Sequence, residues 1–330
     1  MSAMKSTEFM LNLSKQMVEE KGVAESTANV YIRSLYILNG KAPFKTLTFL
    51  KDVEGIDKKV GEYAESTQKA LYATLSSILS LYKDKATYKK AYAHYFEKMM
   101  EKSKASNAVD TTEKTEKEKE NWIDWKDVKS KHKELVDKVA EFSSKKALNA
   151  DEFNTLLDLV VLSLYTEVQP RRNQDYLNMV VVKKWGEQME DTRNYLDLAT
   201  NHFVFNKYKT QKTYGQQKIA VPPTLMSIIN LYLKFHPLNK GIKTKSGEYS
   251  FLVLPDGSSM KALNSITRIL NRIFGKKVGS SMLRHSFLSS KYDIDGMVND
   301  ASAMAHSVEE QKKYMRGKGE SESEVMIPTA

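Results

Sequence analysis

Apolar residues recur at helical spacing through the first hundred positions. In "STQKALYATLSSILSLY", Leu71, Leu75, Ile78, Leu79 and Tyr82 fall on one stripe, and Ser66 reads as the N-cap. "ESTANVYIRSLYILNG" repeats the scheme: Ser26 opens, Tyr31, Leu35 and Leu38 line one face, and Gly40 closes. A segment with the turn-like "KAPF" lies between them. Four or five short helices in a small bundle are expected over residues 1–102.

The pattern then stops. "SKASNAVDTTEKTEKEKEN", residues 103–121, is polar with alternating charges and holds one apolar residue larger than Ala. It cannot bury a core, so it reads as an exposed linker or a solvated helix end. Aromatic content returns at Trp122 and Trp125, and a second domain is expected over 122–330. That domain starts with the broad apolar face of "ADEFNTLLDLVVLSLYT", capped by Asn149. "YLDLATNHFVFNKYKT" and "QQKIAVPP" are rich in β-branched and aromatic residues and are separated by "QKTYG". They predict a β-hairpin closing on Gly215, with Pro222 ending its second strand. "NSITRILNRIFG" and "MLRHSFLSSKY" return to helix. The expected class is mainly α with a small antiparallel sheet: a helical domain followed by an α+β domain.

Composition narrows the function classes. A chain of 330 residues, 41% of them hydrophobic, supports a sizeable core and two domains. No apolar run approaches the roughly 18 residues of a membrane span. "MSAMKSTEFM" lacks the layout of a signal peptide, so an intracellular, non-secreted protein is expected. With no cysteine there are no disulfides, no thiolate catalysis and no cysteine-bound zinc. The six His are scattered without HExxH spacing, so neither a metal site nor a cofactor is expected. A net charge of +10 favours an anionic partner, and nucleic acid is the commonest.

Four stretches carry candidate chemistry: "QPRRNQDY" after the apolar helix, "NKYKTQKTYG" on the hairpin, "SSMLRHSF", and "MAHSVEEQKKYM" near the C-terminus. Their order is Arg, hairpin Lys, Arg, His, Tyr. In this order the sequence resembles the tyrosine recombinase, or phage integrase-like, family. The wording of "PRRNQDY" and "KTQKTYG" is closest to integrases of eukaryotic mobile elements and large DNA viruses. The family pattern places an Arg three residues before an acid, which selects Arg172 with Asp175 over Arg171. The hairpin lysine is Lys209 by wording or Lys212 by position near the tip. "LRHSF" supplies the second Arg as Arg284, and "AHSVEEQKKY" supplies His306 and Tyr314. Two departures stand out. Ser281 occupies a position where the family often has His or Lys, so this chain does without that cation or recruits His285. His306 and Tyr314 are eight apart, one short of the commonest spacing.

The resemblance implies a site-specific DNA recombinase or integrase that cuts and rejoins through a covalent 3'-phosphotyrosyl intermediate, without metal. The residue types suit that chemistry. Arg172 and Arg284 never deprotonate and can donate paired hydrogen bonds to phosphate oxygens. His306 would add a donor, the hairpin Lys a proton for the leaving hydroxyl, and Tyr314 the nucleophilic oxygen. Ser307 and Glu310 form a capping box, which places His306 outside a helix and Tyr314 about two turns in, roughly 10 Å along its axis.

Arg268 and Arg272, at i and i+4 in "NSITRILNRIFG", are candidates for DNA contact, together with Lys212 and, in the first domain, Arg33, Lys69 and Lys83. The implied partners are double-stranded DNA and further copies of the chain. A tetramer on paired sites is expected, with the tail bearing Val325, Met326 and Ile327 docking on a neighbour. The place of action would be wherever the target DNA lies, a host nucleus or a viral replication site. Two other readings stay open: a type IB topoisomerase-like enzyme using the same residues, and a catalytically decayed DNA-binding protein on the same fold.

Overall fold

Each helix near the N-terminus has one apolar face, and those faces meet in a single core. The computed structural model describes residues 6–108, 114, 116–239, 248–260, 262 and 264–292. The chain divides into two units, Met1–Glu113 and Lys114–Ala330, and the division falls inside the polar stretch 103–121. The first unit contains α1 (Glu8–Lys21), α2 (Glu25–Leu38), α3 (Val53–Gly61), α4 (Glu65–Leu79) and α5 (Ala86–Ala108). Its core gathers Met10, Met17, Ile32, Leu35, Leu75, Ile78 and Tyr95, and the Tyr95 hydroxyl donates to the Leu50 carbonyl at 2.9 Å.

The expected caps shift. Ser26 and Ser66 lie inside the first turns of α2 and α4, behind Ala24 and Ala64, which hold the extended cap backbone. Neither Ala supplies a side-chain cap; Glu25 and Glu65 instead put negative charge against the exposed N–H groups of the first turn. Gly40, left-handed with φ of 71°, closes α2 as expected, directly after the cap residue Asn39, and Tyr82 falls in the 3-10 turn Ser80–Tyr82 after α4.

The polar stretch is more structured than its composition implies. Its start is the exposed end of α5, and its end is the short helix α6 (Glu116–Asn121) of the second unit. Asn121 is buried, and its side-chain oxygen accepts from the Lys277 N–H at 3.2 Å.

The second unit continues with α7 (Trp125–Val139) and α8 (Ala150–Thr166). Asn149 caps α8 in a reciprocal box with Glu152. Helix α8 is apolar almost all round because it runs through the centre of the unit, with Leu156, Val160, Leu164 and Tyr165 fully buried. There follow α9 (Asn173–Leu177), β1 (Val180–Val182), β2 (Tyr195–Asp197), β3 (His202–Phe205), α10 (Gln211–Tyr214) and β4 (Gln217–Ala220). Further described elements of the unit are α11 (Pro223–Phe235), β5 (Tyr249–Ser250), α12 (Ser265–Phe274) and α13 (Ser280–Lys291). Helices α7, α11 and α12 pack on α8.

The sheet has five strands in the order β4-β3-β2-β1-β5. It is mixed rather than antiparallel, since β1 and β2 run parallel with Val181 opposite Leu196. The expected hairpin is β3–β4, with Phe203 opposite Ile219, but the stretch before it supplies two strands rather than one. Asn201, with φ of 53°, makes the turn between them. "QKTY" folds into the single turn α10 before Gly215. Side chains alternate through the sheet: Val181, Leu196, Phe203 and Phe205 join the main core, while Val182, Tyr195 and Val204 pack against Trp185 and Met189. No helix among the described residues is long and apolar enough to cross a membrane.

Candidate active site

Helix α8 ends at Thr166, and a short extended run delivers two successive arginines to different environments. The Arg171 guanidinium lies over the Phe205 ring, 3.9 Å from its centroid, and near Tyr208. Its Nε donates to Asp175 Oδ2 at 2.9 Å and its Nη1 to Gln217 Oε1 at 2.8 Å. Arg171 therefore belongs to the framework. Arg172 is the arginine that stands three residues before Asp175, while the acid's ion-pair partner is Arg171. The reason is directional. Arg171 and Asp175 are an i, i+4 pair at the entry to α9, and the aromatic face of β3 holds the guanidinium over the carboxylate.

Arg172 is half-buried; its carbonyl accepts from the Asp175 N–H at 3.0 Å, and its guanidinium makes no hydrogen bond or ion pair with any described residue. Its charge acts on two neighbours. Burial raises the Asp175 pKa on balance, opposed first by Arg171 and less by Arg172, while burial and then Arg172 lower the pKa of Arg284. Arg284, on α13, turns its Nε to the Ser280 carbonyl at 3.3 Å and its Nη2 to Ser281 Oγ at 3.1 Å. Ser281 thus stands as a hydrogen-bond acceptor for Arg284. Asp175 is 2% exposed, and its Oδ1 has no hydrogen-bond partner. Three guanidiniums, those of Arg171, Arg172 and Arg284, act on this one carboxylate. With three guanidiniums around one carboxylate, the local charge is positive and attracts anions.

Two residues that the sequence reading passed over hold this arrangement. Asn194 is buried, and its amide is fully used: Nδ2 donates to the carbonyls of Asp175 (2.8 Å) and Lys207 (3.0 Å), and Oδ1 accepts from the N–H groups of Asn206 (2.9 Å) and Lys207 (2.8 Å). It thereby ties α9 to the start of the β3–β4 connection. Asn173, directly after Arg172, accepts from the Tyr165 hydroxyl at 2.6 Å and donates to Thr267 Oγ1 on α12 at 2.9 Å. Tyr165 is wholly buried, which pushes its phenol well above the usual range and keeps it a neutral donor. An Asn between an Arg pair and an acid, or before a strand, gives no sign in sequence that it spans elements.

The remaining candidates separate. Lys209 and Lys212 are exposed on the β3–β4 connection and have no ion-pair partner among the described residues. The base of that connection is closed by the Tyr208 hydroxyl donating to the Gly215 carbonyl at 2.7 Å. His285 is exposed on α13 and faces Glu118 of α6, with Nδ1 at 3.5 Å from its carboxylate. On α12, Arg268 is exposed and has no described partner, whereas Arg272 engages both oxygens of Asp158 on α8. In the first unit Arg33 and Lys83 are exposed and Lys69 is half-buried. His306, Ser307, Glu310, Tyr314 and the tail with Val325, Met326 and Ile327 lie outside the described residues. Among the described residues no group of three or more His, Cys, Asp or Glu is placed to hold a metal ion.

No family model matches the chain, and neither a curated protein nor a solved structure does. Function is therefore argued from the site.

Proposed function

We propose that the chain cuts and rejoins DNA as a site-specific tyrosine recombinase or integrase. The observation that supports this most is that the charges of Arg172 and Arg284 act on each other and on the buried Asp175, while the Arg172 guanidinium has no described partner. Two guanidiniums brought together against their own repulsion suit a group with two or more anionic oxygens, and a phosphodiester is such a group. Its transition state concentrates charge on the non-bridging oxygens, where each well-placed donor contributes about 3 kcal/mol.

In this reading Tyr314 Oη attacks the phosphorus, forming the 3'-phosphotyrosyl ester as the bond to the 5' oxygen breaks. The leaving 5' oxygen takes a proton from Lys209 or Lys212, and Tyr314 gives up its own to a solvent water. Rejoining is the reverse attack by a 5' hydroxyl of the same or another strand, so no nucleotide is consumed. His306 adds a donor to the phosphate. Arg268 contacts the duplex, and the enzyme acts as a tetramer on paired sites. Arg272 is the weaker DNA candidate, since Asp158 already takes its donors.

The test is covalent attachment. The protein is incubated without metal with a randomised pool of nicked duplexes and run on a denaturing gel. A shifted protein band that is lost in Tyr314→Phe and Arg172→Ala supports strand transfer. Salt-sensitive binding with no band would instead mark a DNA-binding protein without the chemistry. Relaxation of a supercoiled plasmid by a strictly monomeric protein would mark a topoisomerase.

A further inference from the structure

Arg172 and Arg268 are far apart in sequence, yet their immediate neighbours share a hydrogen bond. Asn173 Nδ2 donates to Thr267 Oγ1 at 2.9 Å, joining α9 to α12 across 94 positions of chain. The other end of the same amide is fixed from below by the Tyr165 hydroxyl at 2.6 Å, and Tyr165 is rigid within the core of α8. We propose that Asn173 is a positioning residue that makes the seating of α12 on a duplex and the placement of Arg172 on the phosphate a single mechanical event. The inference rests on the reading above, in which Arg172 holds the phosphate and α12 faces DNA.

The chemistry explains why an amide serves here. One planar group must accept from a buried hydroxyl and donate to a second hydroxyl, and Asn does both. The next residues of α9 have little freedom: Tyr176 is fully buried, and the Asp175 carbonyl accepts from Asn194. Tyr176 and Leu177 are held in the core, and the Asn173–Thr267 bond is the side-chain hydrogen bond between α9 and α12 among the described residues. A shift of Thr267 is passed through one hydrogen bond to the backbone beside Arg172. Arg268 is exposed on the same helical turn as Thr267, so a duplex that engages Arg268 loads that bond.

The test is amide hydrogen exchange, read by peptide, with and without a randomised duplex at low salt. In the wild-type protein the duplex is expected to slow exchange in both 265–274 and 172–177. In Thr267→Val the slowing persists in α12 and disappears from α9, and Thr267→Ser, which keeps the hydroxyl, restores it. Asn173→Ala gives the same loss as Thr267→Val, and the double variant adds nothing further. If α9 is protected equally in Thr267→Val and in the wild type, the coupling does not exist. A second readout is the single-turnover rate of covalent attachment. It is expected to fall about 10- to 100-fold in Thr267→Val with duplex affinity unchanged, as displacement of a positioned group by about an ångström would cause. An equal fall in rate and affinity would mark Thr267 as a DNA contact and overturn the inference. A wild-type protein that binds duplex without covalent attachment removes the enzymatic reading, while the exchange pattern still decides the coupling. A wild-type protein that binds no duplex removes both.

Discussion

Arg171 Nε donates to Asp175 Oδ2 at 2.9 Å, and this single ion pair divides the work between two adjacent arginines. Arg171 is spent on the framework, whereas the Arg172 guanidinium has no partner among the described residues. Arg171 and Asp175 are 16% and 3% exposed, so removing one partner strands the other in a site with little water. Arg171→Ala is expected to destabilise the second unit by about 3–5 kcal/mol. Arg171→Lys should recover little, because a point charge cannot bridge Asp175 and Gln217 while stacking on Phe205. Arg172→Ala should melt within about 0.5 kcal/mol of wild type and lose covalent attachment to DNA. Urea denaturation of the three variants separates these roles; equal destabilisation by Arg171→Ala and Arg172→Ala would remove the division.

Much of the architecture is legible in the sequence, and the reasons differ by element. The stripe of Leu71, Leu75 and Ile78, and the cap at Asn149, are local signals that tertiary packing reinforces. The parallel pairing of β1 with β2 is not local: "MVVV" is four apolar residues long and says nothing of direction until Leu196 and Val181 meet across the sheet. Helix α6 is all polar and escapes composition because its side chains reach the rest of the unit, Asn121 to the Lys277 N–H and Glu118 to His285. At the site, Arg172 and Arg284 stand out by type and order. Which of Arg171 and Arg172 pairs with Asp175 depends on the aromatic face of Phe205, and that is set by the sheet.

The second prediction concerns acid stability. His236 is fully buried between α11 and the sheet; its Nδ1 accepts from the Leu238 N–H at 3.2 Å, and its Nε2 donates to the Phe251 carbonyl at 3.1 Å. Both nitrogens are thus committed to the neutral ring, and burial lowers the pKa from 6.5 to about 4. The unfolded chain takes up a proton that the folded chain refuses. Stability is therefore full above pH 6.5, falls as pH drops from 6.5 towards 4, and levels off below. Each unit of difference contributes about 1.4 kcal/mol, so the loss is on the order of 3 kcal/mol. His132, lowered by burial as well, adds to the same slope. Urea midpoints between pH 7 and 5 would show the slope, and His236→Gln should flatten part of it. A variant with the wild-type slope would exclude His236 as the source.

Arg268 and Arg272 invite a paired comparison. Arg268 is exposed and unengaged, so Arg268→Ala should leave stability within about 0.5 kcal/mol and lower duplex affinity and its salt dependence together. Arg272→Ala leaves the Asp158 carboxylate, whose pKa burial already raises, without its partner. A loss of about 1–2 kcal/mol is expected, moderated because Arg272 itself is half-exposed. Asp158→Asn in the Arg272→Ala background should return part of that stability. If Arg272→Ala instead weakens duplex binding as much as Arg268→Ala at unchanged stability, Arg272 is a DNA contact in spite of its ion pair.

Asn194 gives the most demanding test of how the site is held. Its amide makes four hydrogen bonds from a position 4% exposed, two as donor and two as acceptor, and no other residue type of that size supplies both halves. Asn194→Asp keeps the shape and the acceptor oxygen but turns the second pole from donor to acceptor, facing the carbonyls of Asp175 and Lys207. Two buried carbonyls lose their donor and a charge is buried beside them, so a loss of more than about 2 kcal/mol is expected. Asn194→Leu removes the charge while stranding all four backbone groups, and should cost at least as much. The damage is also directional. Because Oδ1 holds the N–H groups of Asn206 and Lys207, the leucine variant should speed exchange at those amides more than at Phe203 in the neighbouring strand. The aspartate variant, which keeps that oxygen, should show the smaller change there and the larger one in α9, through the lost bond to the Asp175 carbonyl. Uniform acceleration across both regions would mean that Asn194 supports the unit as a whole and not the link between Arg172 and the lysine-bearing connection.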